Sequence, residues 1–336
     1  MHVLVTGGCG YIGSHTVLEL LLAGHDVTVV DDLSNSSPES LRRVGELAGR
    51  APVFHELDVA DRRGLGAVFA AAPVDAVVHF AGLKAVGESV TDPERYWRVN
   101  VGSTLSLVAA MAAAGTTQLV FSSSATVYGD PDVVPITEAA PVRPVNPYGR
   151  TKAAIEWLLA DLAGSGAGWQ VTLLRYFNPI GAHPSGRIGE DPTGVPNNLV
   201  PFIAQVAVGR RPELLVFGDD YPTADGTGVR DYIHVVDLAR GHLAALASPP
   251  GPDEVRTVNL GTGRGSSVFE VVAAFEDATG SPLPRRVVPR RPGDVAACYA
   301  DPGLAADVLG WRAELGLGEA CADTWRWQSA NPTGYR

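Results

Sequence analysis

Tyr148 and Lys152 stand four residues apart, a spacing that places both side chains on one face of a helix. Pro147 precedes the tyrosine and suits a first helical turn, where its missing N–H needs no partner. A free phenol titrates near pH ~10, too high for a base at neutral pH, and a nearby positive charge favours the phenolate. We therefore predict a proton-transfer pair at the start of a helix, in which the lysine lowers the pKa of the phenol.

The first residues of the chain predict a strand, a glycine turn and a helix. Residues 2–6 are mostly apolar, and an apolar-periodic stretch begins after the glycines. Gly8, Gly10 and Gly13 fit the spacing G-x-G-x-x-G, and Gly7, Gly10 and Gly13 fit G-x-x-G-x-x-G equally well. Such a turn lets a pyrophosphate approach the backbone and a helix N-terminus, so the segment predicts a dinucleotide site.

A second predicted strand, residues 26–30, ends in Asp31 and Asp32. An acid about 20 residues beyond the glycines is where a dinucleotide site binds the adenosine ribose hydroxyls. Two carboxylates would repel a 2′-phosphate, so the pair favours NAD over NADP as the cofactor.

Further strands alternate with helical patterns and predict a doubly wound parallel sheet of the Rossmann type. The strands are residues 53–57, 76–80 and 118–121, and the most distinct helical pattern is 93–114. Ligands of such sheets bind beyond the carboxyl ends of the strands. Asp58, the segment from Ala81 to Lys84 and Ser124 all follow strands, so we expect them at that edge, together with Tyr148.

Composition limits the remaining possibilities. The formal charge of −11 argues against general nucleic-acid binding, and no apolar run approaches a membrane span. The three cysteines show no Cys-x-x-Cys and the eight histidines show no metal-ligand spacing, so no metal site is predicted, and His79 is expected to be a packing residue. With the first strand at His2 there is no room for a signal peptide, and we expect a soluble cytoplasmic protein.

The chain length allows a large and a smaller domain. We predict an NAD-binding domain over residues 1–177, to which the chain returns near 230–248, and a smaller α/β substrate domain over 178–336. Residues 214–217 and 257–260 are predicted as short strands of the smaller domain.

Several longer segments resemble the extended short-chain dehydrogenase/reductase family, and within it the branch of UDP-glucose 4-epimerases. The resemblance runs nearly end to end. Its most specific segments are residues 3–8, 79–89, 121–129, 175–178, 196–199 and 226–235. Segments 3–8 and 121–129 are shared by many sugar-nucleotide enzymes, whereas 79–89 and 226–235 are much narrower signals.

The resemblance implies 4-epimerisation of UDP-glucose and UDP-galactose with a tightly held NAD. Tyr148 would take the proton of the sugar 4-hydroxyl while C4 gives its hydride to the nicotinamide. The 4-ketose would rotate in the site, and the hydride would return to its other face. Ser124 would hydrogen-bond the 4-oxygen, and Lys152 would bind the nicotinamide ribose and keep Tyr148 acidic.

The resemblance also implies the residues that bind each ligand. The cofactor side comprises Gly7, Gly10, Tyr11, Ile12, Gly13, Asp31, Asp32, Asn35, Ser36, Asp58, Val59, Phe80, Ala81, Gly82, Lys84, Asn100, Ser122, Tyr148, Lys152 and Phe177. The UDP-sugar side comprises Lys84, Ser124, Tyr148, Asn178, Asn198, Leu199, Phe217, Arg230, Arg291, Asp294 and Cys298. Arg230 and Arg291 would bind the diphosphate, Phe217 would pack on the uracil and Asp294 would bind ribose hydroxyls.

The resemblance further implies a homodimer through helices near residues 93–114 and 148–163, although a core within one chain explains their apolar faces equally well. Cys298 departs from many epimerases restricted to glucose and galactose, which have a tyrosine there. The smaller thiol leaves room for a 2-acetamido group, so we predict that UDP-N-acetylglucosamine and UDP-N-acetylgalactosamine are also interconverted. Tyr299 would refill that space if the register shifted by one residue.

Other activities stay open. A 4,6-dehydratase or decarboxylase begins with the same oxidation at C4, but related dehydratases have Asp-Glu where this chain has Ala125 and Thr126. An ordinary oxidoreductase would consume stoichiometric NAD. A non-catalytic NAD-binding regulator would share the fold, but such proteins usually lose the Tyr/Lys pair.

Overall fold

A computed structural model describes residues 1–291 and 293–335 of the chain. Within these residues the strands are β1 His2–Thr6, β2 Asp26–Asp31, β3 Val53–Glu56, β4 Ala76–His79, β5 Gln118–Ser124, β6 Gln170–Tyr176, β7 Asn178–Ile180, β8 Leu214–Phe217, β9 Val229–His234, β10 Glu254–Leu260, β11 Gly265–Ser267, β12 Arg285–Val288 and β13 Ala297–Cys298.

The helices in the same residues are α1 Tyr11–Leu22, α2 Pro38–Ala48, α3 Arg62–Ala71, α4 Val86–Thr91, α5 Pro93–Tyr96, α6 Gly102–Ala114, α7 Pro147–Ala163, α8 Leu199–Ala207, α9 Val235–Ala247, α10 Val268–Thr279, α11 Gly303–Leu309 and α12 Leu317–Ala330. A π-helical segment, Trp97–Val101, connects α5 to α6, and a 3₁₀ turn, Ala125–Val127, follows β5.

Seven parallel strands form the large sheet, in the order β10-β6-β5-β4-β1-β2-β3. The predicted doubly wound α/β fold is confirmed. The chain winds from β1 towards β3 and then in the opposite direction from β4, so the strand order reverses between β1 and β4. Thr6 is paired with His79 where these two strands end, and a crevice at such a reversal is where these folds bind ligands.

Alternation along each strand builds a core on both faces of the sheet. On β1, Val3 and Val5 pack in the cluster that includes residues of α1, α2 and α9, whereas Leu4 packs in the cluster of α3, α6 and α7. Both faces of the sheet are therefore covered by helices, as a buried parallel sheet requires.

The other strands form two smaller sheets, one around β9 and one made of β8 and β12. β9 is paired with β7, β11 and β13, and β8 is paired in parallel with β12. The helices α8, α10 and α12 cover a separate apolar cluster that includes Ile203, Phe275 and Cys321.

The assignment of residues 257–260 to the smaller domain is wrong. These residues belong to β10, which is paired in parallel with β6 at the edge of the large sheet. Val258 and Leu260 are fully buried in the core of that sheet, which explains the placement. The chain also returns to the large sheet before this strand, because α9 packs against α1.

Two predicted elements differ in extent from the observed ones. β5 continues to Ser124 instead of ending at residue 121, because Ser122–Ser124 keep parallel register with the last residues of β6. The helical pattern at 93–114 is confirmed, but it contains the π-helical segment, a feature frequent at functional sites. None of the described helices is long and apolar enough to cross a membrane.

Candidate active site

The start of α7 positions the predicted proton-transfer pair. Asn146 is the N-cap residue, and its side-chain oxygen accepts the N–H of Gly149 at 2.8 Å. Tyr148 and Lys152 follow one turn apart, and the Lys152 Nζ lies 5.9 Å from the centre of the Tyr148 ring. The sequence prediction that these two groups meet at a helix start is therefore confirmed.

The end of β5 packs against the Tyr148/Lys152 pair. The Lys152 Nζ donates to the carbonyl oxygen of Ser122 at 2.7 Å and lies 4.7 Å from the centre of the Phe121 ring. Ser124 is the last residue of the strand, and its hydroxyl accepts the N–H of Thr126 at 3.2 Å. The structure thus brings Ser124, Tyr148 and Lys152 together at the carboxyl edge of the sheet.

Burial controls the protonation of both groups. It raises the pKa of Tyr148 to about 12, while a hydrogen bond with Ser124 acts in the opposite direction. Burial also lowers the pKa of Lys152 to about 8, against the attraction of Glu156. The pKa of the phenol is therefore raised and not lowered as predicted, because loss of hydration is the largest influence on it.

The glycine turn lies beside this edge with closely packed backbone. Gly7 has φ +70°, and a Cβ on it would lie 2.8 Å from the backbone nitrogen of Ala81. A Cβ on Gly13 would lie 2.2 Å from the carbonyl oxygen of Gly7, and one on Gly8 would lie 2.6 Å from Val29. Both predicted glycine spacings therefore describe real packing constraints. Gly10 is the N-cap of α1 and brings no side-chain oxygen, so no N-cap side chain satisfies the first N–H groups of this helix, an arrangement that favours anion binding.

The two acids after β2 have different surroundings. Asp31 is buried, and its carboxylate accepts the N–H of Cys9 at 2.9 Å and the Ser36 hydroxyl at 2.8 Å. Asp32 is exposed and accepts the Ser34 N–H at 3.0 Å, and Asn35 next to them is exposed as well. Asp31 thus fixes the glycine turn to the following loop, in addition to any ligand it binds.

Asn100, in the π-helical segment, connects the loop after β4 to α7. Its Oδ1 accepts the Leu83 N–H at 2.7 Å, and its Nδ2 donates to the Thr151 hydroxyl at 3.1 Å. A Cβ on Gly82 would lie 3.0 Å from Asn100 Oδ1. Lys84 at the end of this loop is exposed and forms an ion pair with Glu190 at 3.2 Å.

The other predicted cofactor residues occupy varied positions. Asp58 is exposed two residues after the end of β3, whereas Val59 is buried in a core cluster. Phe80 contacts the His242 ring with centres 4.7 Å apart, and Ala81 is partly buried. The Ser122 hydroxyl is hydrogen-bonded to that of Tyr176, and Phe177 is buried.

The predicted substrate residues form two groups. In the first, Cys298 of β13 is paired with Arg230 of β9, and the Arg230 side chain donates to the carbonyl of Val229 at 2.8 Å. In the second, Arg291 forms an ion pair with Asp294 at 2.9 Å and lies 5.6 Å from the centre of the Phe217 ring. The first group belongs to β9 and β13, and the second lies at the end of β8.

The remaining predicted substrate residues begin separate elements. Asn178 begins β7 and is paired with Tyr232 of β9. Asn198 is the N-cap of α8 and Leu199 is its first residue. Both asparagines retain exposed surface, so they are accessible to a ligand.

Sequence reasoning missed a buried polar network beneath the pair. Glu156 of α7 and Arg175 of β6 form an ion pair, the Arg175 guanidinium lies 4.9 Å from the centre of the Tyr128 ring, and the Tyr128 hydroxyl donates to Asn259 at 2.7 Å. The signal that could have found it is the spacing of Glu156, four residues after Lys152 and thus on the same helix face.

His79, predicted to be a packing residue, is buried, with its ring nitrogens 2.7 Å from the Thr6 hydroxyl and 3.0 Å from the Thr104 hydroxyl. Among the described residues, no group of three or more His, Cys, Asp and Glu side chains is arranged to hold a metal ion.

A parallel sheet with a glycine turn at its strand reversal, and a Ser/Tyr/Lys set at the same edge, is the arrangement of a nucleotide-dependent oxidation site. The chain matches the model of the NAD dependent epimerase/dehydratase family over residues 3–261, and it belongs to this family.

Individual relatives within this family are similar to the chain over nearly its whole length. The chain is 57% identical over 336 residues to UDP-glucose 4-epimerase of Bacillus subtilis (strain 168), covering 100% of this chain and 99% of that protein. It is 57% identical over 340 residues to UDP-glucose 4-epimerase of Homo sapiens, covering 99% and 98%. A solved structure of UDP-glucose 4-epimerase from Bifidobacterium longum in complex with NAD+ and UDP has a TM-score of 0.96 at 51% identity, covering 99% of this chain and 100% of that one.

Proposed function

We propose that this protein interconverts UDP-glucose and UDP-galactose by NAD-dependent epimerisation at C4, the activity named for its relatives from Bacillus subtilis and Homo sapiens. The observation that carries the proposal is the arrangement of Ser124, Tyr148 and Lys152 at the carboxyl edge of the sheet. It combines a strand-end hydroxyl, a phenol and an ammonium beside a dinucleotide turn, which is what oxidation of a secondary alcohol needs.

NAD fits the residues at this edge. Gly10, the N-cap of α1, makes no side-chain hydrogen bond to the first turn of the helix, and the closely packed glycines beside it let a pyrophosphate approach those N–H groups. Asp31 and Asp32 would bind the adenosine ribose, and Lys152 would bind the nicotinamide ribose. Bound there, NAD would supply the hydride acceptor for oxidation at C4 of the sugar and the hydride donor for its reduction from the opposite face.

The protein's own residues would handle the proton. Tyr148 would take the proton of the sugar 4-hydroxyl as C4 is oxidised and would return it to the same oxygen after the ketose has turned. Because burial raises the pKa of this phenol to about 12, the phenolate needs a nearby positive charge, and the Lys152 ammonium is such a charge. Ser124 would hydrogen-bond the 4-oxygen in both states.

A sugar that must rotate cannot be gripped tightly, so binding energy has to come from the nucleotide. Arg230 and Arg291 would bind the diphosphate, because guanidinium groups match phosphate oxygens. Phe217 would pack on the uracil ring, which its 41% exposed surface permits, and Asp294 would bind the ribose. Asn178, Asn198, Leu199 and Lys84 would complete this side of the site.

The test is incubation of the purified protein with UDP-glucose or UDP-galactose, without added NAD, followed by separation of the epimers. We expect each sugar to give the same mixture of both. A stable 4-keto-6-deoxy sugar would instead show a dehydratase, for which Ala125 and Thr126 offer no acid or base. A requirement for stoichiometric NAD would show an ordinary oxidoreductase, and binding of NAD with no sugar chemistry would show a regulator.

We further propose that the N-acetylated pair of UDP-hexoses is also accepted, because of Cys298. This side chain packs in the cluster that contains Ala125, the residue after Ser124, while the Tyr299 ring lies against Gly265. That arrangement supports a small residue beside the sugar. Cys298→Tyr should abolish turnover of UDP-N-acetylglucosamine and spare UDP-glucose. A wild-type protein that leaves UDP-N-acetylglucosamine unchanged would contradict the proposal.

We also propose that the protein is a homodimer through α6 and α7. Trp97, Leu105 and Trp157 are 42%, 40% and 59% exposed, an apolar surface that a second copy would cover. Light scattering should give a dimer for the wild type and a monomer for Trp157→Glu, whereas Leu22→Glu, at a 57% exposed position at the end of α1, should remain dimeric. A monomeric wild type would contradict this.

Two expectations remain predictions. The division into an NAD-binding domain over residues 1–177, with a return near 230–248, and a substrate domain over 178–336 is supported by the separate apolar cluster around α8, α10 and α12, apart from β10, which belongs to the large sheet. The cytoplasmic location is supported by Cys9, Cys298 and Cys321, which are all free thiols.

A further inference from the structure

Glu156 is a buried carboxylate with no direct part in the proposed chemistry. It is 3% exposed and lies one turn beyond Lys152 on α7. Its Oε1 accepts the Nε of Arg175 at 2.9 Å and the Ser123 hydroxyl at 2.5 Å, and its Oε2 accepts the Nη2 of Arg175 at 2.5 Å. The carboxylate thus binds a guanidinium in bidentate geometry and a hydroxyl on a second strand.

These bonds join the three elements that build the catalytic edge. Ser123 stands on β5 between Ser122, whose carbonyl accepts the Lys152 ammonium, and Ser124. Arg175 precedes Tyr176 at the end of β6. A shift of α7 along the sheet would therefore break the Glu156 contacts and move Lys152 away from the Ser122 carbonyl together.

Glu156 also affects the charge balance around Lys152. Burial lowers the pKa of His79 on β4 to about 3 and raises the pKa values of Tyr148 on α7 and Tyr176 on β6, so these rings are uncharged at pH 7. Lys152 is 5% exposed, and the charged group that acts on its pKa is Glu156, one turn further along α7, which is itself paired with Arg175. Without the carboxylate, the buried Arg175 would lose its ion-pair partner, and Lys152 would lose the negative charge one turn along its own helix.

We propose that Glu156 is a positioning residue for Lys152: its contacts with Arg175 and Ser123 fix α7 against the sheet, and its negative charge keeps the Lys152 ammonium protonated at neutral pH. A buried ion pair is often no more stabilising than apolar residues of the same volume, so stability alone is a weak reason for one at this place. This inference rests on the proposed function, because it concerns the protonation of its catalytic lysine.

The chain offers a direct measurement that does not depend on activity. Lys84 and Lys152 are its only lysines, so protein labelled with ¹³C or ¹⁵N at lysine gives two side-chain signals. Lys84 is exposed and serves as the internal reference, while Lys152 reports its own titration. Glu156→Gln keeps the shape and removes the charge, and we expect it to lower the midpoint of the Lys152 titration by at least about one pH unit.

Matched variants separate charge from shape. Glu156→Gln combined with Arg175→Gln removes both charges, so the Lys152 midpoint should return towards the wild-type value. Ser123→Ala removes one hydrogen bond and no charge, so the midpoint should stay within about 0.3 pH unit of the wild type. A Glu156→Gln protein whose Lys152 titrates as in the wild type would overturn the proposal.

The pH dependence of turnover in the same variants is a second test of the proposal. Only the protonated lysine is competent, so kcat of Glu156→Gln should fall about five-fold at pH 8 and remain near wild type at pH 6 for a midpoint one unit lower. An equal loss at both pH values would show a purely structural role. Wild-type protein that fails to epimerise UDP-glucose would defeat the proposed function, whereas active wild type with an unshifted Glu156→Gln would defeat only this inference.

Discussion

The proposed catalytic edge and the proposed nucleotide-binding surface are built in opposite ways. Lys152 and Ser124 are 5% and 9% exposed and have partners within the chain, on elements joined by the sheet and its helices. Arg291 has a side chain 54% exposed, and its partners are Asp294 and Phe217, themselves predicted ligand contacts. The groups proposed to move a proton are thus fixed within the fold, while the groups proposed to hold the nucleotide are at the surface and pair with one another.

The difference follows from what each region must do. Proton transfer requires atoms held near fixed positions, which parallel strands and a capped helix provide. Binding a diphosphate requires charge that stays hydrated until the ligand arrives, because a buried unpaired guanidinium is costly. Substitutions in the first region should therefore change kcat, and substitutions in the second should change KM.

The largest expected effect is that of Tyr148→Phe. The change removes one hydroxyl and leaves the ring, so the variant should fold and retain NAD. Loss of a general acid–base group costs about 10² to 10⁴ in rate, and we expect kcat for UDP-glucose to fall by that factor. Epimer separation gives the rate, and the absorbance of the purified protein gives its cofactor content.

Ser124→Ala serves as the companion variant, since it removes a hydrogen bond to the 4-oxygen but no proton carrier. Its loss in kcat should be smaller than that of Tyr148→Phe. If Tyr148→Phe retained more than about a tenth of the wild-type rate, the phenol would not be the proton carrier. The comparison between a fixed catalytic edge and an exposed nucleotide surface would then fail.

The second effect concerns the nucleotide-binding surface. Arg291→Gln should raise KM for UDP-glucose about ten- to a hundred-fold with little change in kcat, because hydrogen bonds to a charged group contribute about 1.5–3 kcal/mol. The adjacent Arg290 is the matched control, since its guanidinium pairs with Asp220 at 2.6 Å and lies 4.1 Å from the centre of the Tyr221 ring.

Arg290→Gln should change KM less than about two-fold. Steady-state kinetics with both variants decides the point. Equal effects of the two substitutions would mean that the surface acts by general charge, and a fall in kcat for Arg291→Gln would mean that the two regions are not separate.

The catalytic edge could be predicted from the sequence because its rules are local. A glycine turn, a strand-end acid and a Tyr/Lys pair at i and i+4 each fix a position relative to one element. Parallel strands then bring those positions to one edge, and Ser124, Tyr148 and Lys152 meet there. No long-range information was needed beyond the alternation of strands and helices.

The sequence predictions that failed concern features that depend on contacts between distant segments. Residues 257–260 pair with β6 across some eighty positions of sequence, and nothing local distinguishes an edge strand of one sheet from a strand of another. The raised pKa of Tyr148 depends on burial by several elements at once, so the i, i+4 spacing gave the wrong direction. Arg175 and Asn259 likewise join the site only through tertiary packing.

A third prediction uses the buried histidines of the sheet and its helices. Burial lowers the pKa of His15 to about 3, of His79 to about 3 and of His242 to about 4, so all three stay neutral in the native state at pH 5. The unfolded chain protonates them below its ordinary pKa of 6.5. The unfolded state therefore binds more protons as pH falls through 6.5, and stability is lost over that window.

The expected cost at pH 5 is about 2 kcal/mol for each of these histidines relative to pH 7. Denaturant unfolding at both pH values measures it. His79→Gln, which keeps an amide near Thr6 and Thr104, should lose about 2 kcal/mol less on acidification than the wild type. Equal acid sensitivity of the wild type and His79→Gln would contradict the assignment.

The smallest effect tests whether the stability of the catalytic half can change without a change in its chemistry. Gly66 is exposed in the middle of α3, and a Cβ there would meet nothing within 4 Å. Gly66→Ala should stabilise the protein by about 0.5–1 kcal/mol, because glycine loses more conformational freedom in a helix than alanine.

Gly64 is the control on the same helix, since its Cβ would lie 2.5 Å from Leu57 and 2.8 Å from the Asp61 carboxylate, which caps the helix. Gly64→Ala should therefore show no gain, and kcat should stay at the wild-type value in both variants. If Gly66→Ala changed kcat, α3 would be coupled to the catalytic edge, and the separation between a fixed site and its surrounding scaffold would need revision.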